Sequence, residues 1–317
     1  MIIDCDPGID DMMALLVACA SPEVELLGVG TVAGNVDVDM ATANALSVLA
    51  LAGRPDVPVA RGCARPLVRP RRHLDRPAHA AGGLGGATFP APEAAPAREH
   101  AVELLARVTA APARPVTLVA VGPLTNVAVF YALHPELAAR LDRLVVMGGA
   151  IGAGNITPAA EFNIWSDPEA AYRVLTSTGL PRAVPTTMVG LDVTLRTVLA
   201  AQDRERVRRA GPIGQLAAGA LDGYAHGVPG AGVPVHDAVA VVEAIRPGLV
   251  ATGPATVEVD CGPGPSVGNT LVTRLPEGGA GTGGDAAGEP ACRVAVDVDA
   301  GAVVGFVLDR VTSLDAR

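Results

Sequence analysis

The chain opens on Met1-Ile-Ile-Asp4-Cys-Asp6-Pro-Gly-Ile-Asp10-Asp11, four carboxylates within eight residues. Asp4 and Asp6 stand two apart at the end of an apolar run, so on a strand their side chains leave the same side. A Pro-Gly turn follows, and Asp10 and Asp11 then open a helical pattern. The four are expected to converge at the C-terminal end of a first parallel strand, where open α/β sheets bind their ligands. Carboxylates this crowded repel one another unless a cation neutralises them or some keep their protons. A donor set made only of oxygen suits a hard ion, calcium or magnesium, better than zinc. Helix capping by Asp10 and a turn role for Asp4 would explain two of the four acids but not all of them.

Other polar groups recur at the ends of apolar runs. Asn35 follows Gly34 after the second run, and Gly122-Pro-Leu-Thr-Asn126 follows a run ending at Val121. The segment from Met147 to Asn163 leaves a strand through glycines and then presents Asn155, Glu161 and Asn163 beside Phe162 and Trp165. Two amides and a carboxylate next to aromatic surface suit a site that hydrogen-bonds several hydroxyls of a sugar. Pro234-Val-His236-Asp237 sets an imidazole beside a fifth carboxylate at a helix start, a pairing able to move protons or hold a metal.

Several chemistries find no support. An EF-hand loop counted from Asp4 places Ile9 where glycine is required and Leu15 where a bidentate acid is required. Gly28-Val-Gly30 through Gly34 resembles a dinucleotide fingerprint only faintly, since the third glycine comes one residue late. There is no Lys, which removes Schiff-base chemistry and the P-loop lysine, and no G-x-S-x-G or Cys–His pairing for acyl transfer. A haloacid-dehalogenase-type phosphatase using magnesium also begins with Asp-x-Asp, but it wants Thr or Val where Gly8 stands and generally a later Lys.

These residues need elements to hold them. Apolar runs near 1–4, 24–32, 57–60, 116–121, 143–148 and 183–189 alternate with helix-period segments near 10–20, 37–52, 98–109, 125–133 and 168–176. That alternation predicts an α/β fold with an open, mainly parallel sheet flanked by helices. The last third predicts helices near 200–209, 213–224, from Asp237 and near 300–311, with strands near 256–260, 270–273 and 293–298. No linker separates two cores, so one domain over 1–317 is expected, with 69–96 as a flap over the site and 276–290 as a flexible loop.

Half the residues are apolar and 18% are charged, ample for a buried core and unlike a disordered chain. The net charge of −9 is concentrated in residues 1–53, which hold eight acids and no base, and this argues against a nucleic-acid surface. The one basic run, Arg69 to Arg76, is Pro-broken and reads as a solvated loop. Five widely spaced cysteines form no C-x-x-C, and neither a signal peptide nor an apolar span is visible. A cytoplasmic enzyme, without membrane or nucleic-acid partners, is the expectation.

Taken in order, Asp4-Cys-Asp6-Pro-Gly-Ile-Asp10-Asp11, Thr31-Val-Ala-Gly-Asn35, Gly122-Pro-Leu-Thr-Asn126, Met147-Gly-Gly, Glu161-Phe-Asn163, Met188-Val-Gly-Leu-Asp192 and Val235-His236-Asp237 resemble the inosine-uridine preferring nucleoside hydrolases. The resemblance runs from Met1 to about Arg310. It implies a calcium-dependent N-ribohydrolase that splits a ribonucleoside into ribose and free base, on a Rossmann-like core, as a homodimer or homotetramer. By match to the motifs, Asp6, Asp11, Asp237 and the Val121 carbonyl would hold Ca2+, and Asp10 would be the general base. Asn35, Asn155, Glu161 and Asn163 would hold the ribose, and His236 would protonate the leaving base. Tyr224 and His79 of the flap would contact substrate. Purine-specific relatives stack the base between tryptophans, and with Trp165 alone this chain is expected to turn over both purines and pyrimidines, inosine and uridine among the better substrates. The flap departs from the pattern at Ala80 and Ala81, where relatives commonly carry Gly and an acid. A nucleoside or ribose binder without catalysis is a further alternative, though it would have no need of a general base.

Overall fold

A computed structural model describes residues 1–72, 79, 82–92, 94–111, 115–225, 232–276 and 292–316. The first half lays down β1 (Ile2–Cys5), α1 (Ile9–Ala20), β2 (Val29–Thr31), α2 (Val38–Leu51), β3 (Val59–Arg61), α3 (Ala101–Ala110), β4 (Thr117–Ala120), α4 (Thr125–Leu133), α5 (Pro135–Ala138) and β5 (Arg143–Met147). Then come α6 (Phe162–Ser166), α7 (Pro168–Leu175), β6 (Thr186–Val189), α8 (Leu191–Thr194), β7 (Val198–Leu199), α9 (Ala201–Ala210), α10 (Pro212–Ala225) and β8 (Val233–Pro234). The chain ends with α11 (His236–Ile245), β9 (Val250–Val259), β10 (Thr270–Arg274), β11 (Cys292–Val298), α12 (Ala300–Ser313) and a last 3-10 turn at Leu314–Ala316.

One nine-stranded sheet runs in the order β10-β9-β11-β6-β5-β4-β1-β2-β3. From β11 to β3 every pairing is parallel, and β9 alone runs against both its neighbours. The chain grows outward from β1 through β2 and β3, then returns to place β4 on the other side of β1. Crossovers therefore leave in opposite directions from β1 and β4, and a crevice opens at their carboxyl ends.

Helix α1 is buried along its whole length, because the sheet covers one side and α2, α11 and α12 the other. Its run of Met, Leu, Ala and Val has no polar face for that reason. The opposite side of the sheet is covered by α3, α4 and α7, whose Leu104, Leu105, Phe130, Tyr131 and Val174 are buried against β2, β4 and β5. The first helix is thus held rigidly, and with it the two aspartates of its first turn.

The observed elements follow the predicted alternation, with differences that have physical causes. The second strand shortens to Val29–Thr31, although Leu27 N still donates to Met1 O at 2.9 Å. Strand β9 is longer than expected, its start hidden in the sequence by Gly253 and Pro254. Helices α5, α6 and α8 have four or five residues, too few to show a period. Arg69 to Arg72 do not form a free basic surface: Arg69 pairs with Glu169 at 2.8 Å, Arg71 donates to Gly34 O, and the Arg72 guanidinium lies 4.3 Å over the Trp165 ring. The expected loop at 276–290 lies, apart from Pro276, outside the described residues, as do Ala80 and Ala81 of the flap. Flap residues within the described set are anchored. Asn44 Nδ2 donates to both Pro7 O and Gly82 O, and Gly85 lies so close to α10 that a Cβ there would sit 2.4 Å from Ala220 O.

Candidate active site

A cavity of about 270 Å3 lies at the crevice, lined by Asp10, Asn35, His79, Val121, Met147, Asn155, Ile156, Glu161, Phe162, Asn163, Tyr224, His236 and Asp237. Of the residues that the family resemblance assigns to the site, Asp6 and Asp11 alone are absent from that wall, and both are completely buried.

The acid cluster is built by the turn between β1 and α1. Asp11, in the first turn of α1, accepts from Gly8 N at 2.8 Å and from Asp6 N at 3.1 Å, closing the turn onto itself. It is Asp11, not Asp10, that caps the helix, which leaves the Asp10 carboxylate to the cavity. Asp6 Oδ2 accepts from Asn35 N at 2.6 Å. Gly34 makes that approach possible, since a Cβ there would fall 2.0 Å from Asp6 Oδ2. From the other end of the chain, Asp237 in the first turn of α11 brings its carboxylate in, so that oxygens of Asp10, Asp11 and Asp237 lie within 4.8 Å of one another.

Asp4 does not join them. Its Oδ1 accepts from Asn126 Nδ2 at 2.8 Å, and the same amide donates to Thr31 O at 2.9 Å while its oxygen accepts from Cys63 N at 2.8 Å. The strand ends at Cys5, so Asp6 has already left the strand and no longer shares a face with Asp4. Asn126 thereby ties together the carboxyl ends of β1, β2 and β3. Gly30, from the abandoned dinucleotide pattern, makes room for Asp4: a Cβ there would meet Asp4 Oδ1 at 2.5 Å.

Burial, reinforced by the neighbouring carboxylates, pushes Asp6 and Asp237 well above the usual carboxylate range. Burial also raises Asp11, to about 6, against the hydrogen bond from Gly8, and it raises Asp10 despite the nearby His236. Buried Asp6 Oδ1 and Asp10 Oδ1 have no hydrogen-bond partner. Acceptor oxygens buried without donors, in a cluster of like charges, are what a hard cation satisfies, so the residues fit a metal ion of the oxygen-loving kind.

Around the cavity, α6 organises the polar arc. Glu161 caps it, accepting from Asn163 N at 2.9 Å, Ile164 N at 3.2 Å and Gly149 N at 2.9 Å; burial raises this carboxyl to about 7. Asn163 Nδ2 donates to Val121 O at 2.9 Å and Met147 O at 3.2 Å, and Asn155 Oδ1 accepts from Phe162 N at 3.0 Å. Those bonds leave Asn163 Oδ1 and Asn155 Nδ2 for a ligand. Val121 also lines the cavity, and its carbonyl keeps a second lone pair.

The opposite wall is aromatic. His79 Nδ1 accepts from Ile9 N at 3.1 Å and lies 3.7 Å from Asp10 Oδ1. Its ring centroid is 5.7 Å from that of Tyr224, near the end of α10. Burial lowers the pKa of both His79 and His236, so each imidazole favours its neutral form, and raises the Tyr224 phenol to about 12, keeping its proton. His236 Nδ1 is hydrogen-bonded to Thr194 Oγ1 at 2.8 Å. Sequence reasoning did not single out Thr194, which lies 42 residues from its partner on a helix of one turn. All five cysteines are free, and none lines the cavity.

Comparison with known proteins agrees with this geometry. The sequence pattern of a family described as inosine-uridine preferring nucleoside hydrolase matches residues 1–305. The chain is 43% identical over 280 residues to the pyrimidine-specific ribonucleoside hydrolase RihA of Photobacterium profundum, covering 86% of this chain and 88% of that one. With RihA of Salmonella schwarzengrund the identity is 44% over 260 residues, 80% and 81% of the two chains. Among solved structures, the purine-preferring ribonucleoside hydrolase from Gardnerella vaginalis superposes with a TM-score of 0.88 at 30% identity, covering 99% of this chain and 98% of that one. A plant nucleoside hydrolase does so with a TM-score of 0.87 at 32% identity and 98% coverage of each. With a family pattern matched over residues 1–305 and relatives at 43–44% identity along most of both chains, the chain belongs to the inosine-uridine preferring nucleoside hydrolase family.

Proposed function

We propose that the enzyme is a calcium-dependent N-ribohydrolase in which Asp6, Asp11, Asp237 and the Val121 carbonyl hold the ion, while Asp10 acts as general base and His236 as general acid. The observation that carries this reading is Asp10, which lines a cavity of about 270 Å3 while its buried Oδ1 has no hydrogen-bond partner. When bound, calcium neutralises the carboxylates and makes a water molecule more acidic.

The protein's own groups do the rest. Asp10 takes a proton from the attacking water, within reach because Asp11 rather than Asp10 is spent on capping the helix. Asn35, Asn155, Glu161 and Asn163 hydrogen-bond the ribose hydroxyls and place C1′ over Asp10. Breaking the ribosyl C–N bond leaves positive charge on the ring, and the buried carboxylates stabilise it. The departing base accepts a proton from His236 in its imidazolium form, which burial opposes and the neighbouring Asp10 carboxylate favours, while Tyr224 and His79 supply the aromatic wall against which it lies.

Among the described residues Tyr224, His79 and Phe162 line the cavity with aromatic surface, the chain has no pair of tryptophans to stack a purine, and relatives at 42–44% identity are named pyrimidine-specific. Uridine is proposed as the better substrate, with inosine accepted. On the family resemblance a homodimer or homotetramer is proposed. Five free cysteines suit a reducing compartment, and a cytoplasmic location is proposed with it. No helix among the described residues is long and apolar enough to cross a membrane. The decisive experiment incubates calcium-loaded protein with uridine and inosine and measures reducing sugar. Ribose is expected from both, and intact nucleosides after prolonged incubation would overturn the reading.

A further inference from the structure

Past the end of β5 the chain leaves the sheet, and its backbone groups need partners that a neighbouring strand no longer supplies. Gly148 N makes the last bond on the sheet side, to Val189 O at 3.3 Å. The next four amides are all accepted by side-chain oxygens from three separate places in the chain. Gly149 N donates to Glu161 Oε2 at 2.9 Å, Ala150 N to Thr270 Oγ1 at 2.9 Å, and Ile151 N and Gly152 N to Asp192 at 2.7 and 3.0 Å. This strip leads to Asn155 and shares Glu161 with the start of α6.

Thr270 is the first residue of β10, and it is buried. Its hydroxyl accepts from Ala150 N and donates to Ala150 O at 2.7 Å, so one side chain fixes the peptide planes on both sides of Ala150. Gly149 gives the threonine methyl its place: it has φ +77°, and a Cβ there would lie 3.0 Å from Thr270 Cγ2. A support must itself be held. Thr270 pairs with Val259 across the antiparallel ladder, and the turn between β9 and β10 is closed by Asp260, whose N donates to Asn269 O at 2.9 Å and whose carbonyl accepts from Gly268 N at 2.8 Å. That turn rests on α6, since a Cβ on Gly268 would sit 2.7 Å from Trp165 Cα.

We infer that Thr270 is a positioning residue for ribose binding: from β10 it holds Ala150, and through Ala150 both the Gly149 amide that orients Glu161 and the segment that presents Asn155. Thr270 does not line the cavity, so it acts through these residues rather than on the sugar. The inference rests on the proposed ribose roles of Glu161 and Asn155, and it adds the residue that sets their placement from the far edge of the sheet.

Thr270→Val keeps the branched shape and removes only the hydroxyl. It should raise KM for uridine about ten-fold with kcat changed no more than about three-fold, and Thr270→Ser should return KM to near the wild-type value. A residue that merely stabilised the fold would lower the active fraction, and with it apparent kcat, while leaving KM alone. Hydrogen exchange in a peptide spanning 148–163 should accelerate in the valine variant and slow again in the serine variant. In a Glu161→Gln background Thr270→Val should add much less to KM than it does alone, because the two act along one chain of contacts. Where the valine variant does not fold, Thr270→Ala removes the same hydroxyl and carries the same expectations. An unchanged KM, a loss confined to kcat, unchanged exchange, or full additivity with Glu161→Gln overturns the inference. If Glu161→Gln and Asn155→Ala themselves leave KM at the wild-type value, the ribose reading fails, and the inference falls with it.

Discussion

Asp10 and Asp11 are adjacent and chemically identical, yet the fold gives them different work. Asp11 has both oxygens engaged by backbone amides of its own turn, whereas Asp10 lines the cavity and its buried Oδ1 has no hydrogen-bond partner. Asp10→Asn should therefore lower kcat on uridine by about 10^3-fold or more while the far-UV spectrum and KM change little. Asp11→Asn should instead weaken calcium binding, read by isothermal titration. A quite separate acid provides a pH signature. Glu243 on α11 is almost fully buried, and burial raises its carboxyl to about 7 from an ordinary 4.5, with Arg143 opposing. Between those two values the folded state keeps a proton that the unfolded chain releases, so this group makes stability fall as pH rises from about 4.5 to about 7. Glu243→Gln should match the wild type in Tm near pH 4 and exceed it progressively up to pH 8, and parallel melting curves at all pH values would refute the assignment. At this scale the sequence was legible wherever a residue's placement follows from its immediate neighbours, as for Asp6, Asp10 and Asp11 beside the turn after β1. Asp4 misled because period-two spacing puts it beside Asp6 only while the strand lasts, and β1 stops between them. Thr194 was illegible because its meaning lies entirely in a partner distant in sequence.

The long helices and central strands announced themselves by period, but the elements that orient the site are the short ones. Helix α6 has five residues and is defined by its cap: Glu161 holds its start and so fixes both Asn163 and the Gly149 turn. Helix α8 has four residues and controls the Asn155 segment through Asp192. A helix this short has no propensity to form alone, so its cap and tertiary contacts define it. On the proposed ribose role of Asn155, Asp192→Ala should act as a binding mutation, raising KM for uridine about ten-fold with a smaller effect on kcat, because the segment leading to Asn155 loses its two anchoring hydrogen bonds. Equal losses in kcat and an unchanged KM would show that the segment does not depend on Asp192. Asn126 marks the other kind of element-level role: one amide serves three strand ends, and no periodic pattern could have indicated that.

Across the whole molecule, the strand order beside β1 turns an ordinary α/β sheet into a ligand crevice, and the carboxylates that fill it come from both halves of the chain. The cluster is destabilising without a cation, since burial and repulsion act on every member. Calcium that binds only the folded form adds stability by mass action, about 2.7 kcal/mol at a hundredfold excess over Kd. Chelation should then lower Tm by about 5 °C, reversibly, and readdition of calcium should restore it more fully than zinc does. An unchanged Tm on chelation would mean the cluster resolves its charge by sharing protons instead.

The reach of that cluster along the chain also sets an order of events during synthesis. Asp6, Asp10 and Asp11 leave the ribosome more than two hundred residues ahead of Asp237. At roughly 5–20 residues per second, the first three acids wait on the order of ten seconds or longer for the fourth. If these acids hold the proposed ion, the nascent N-terminal segment cannot close the site by itself, and ion capture has to wait until α11 docks beside α1.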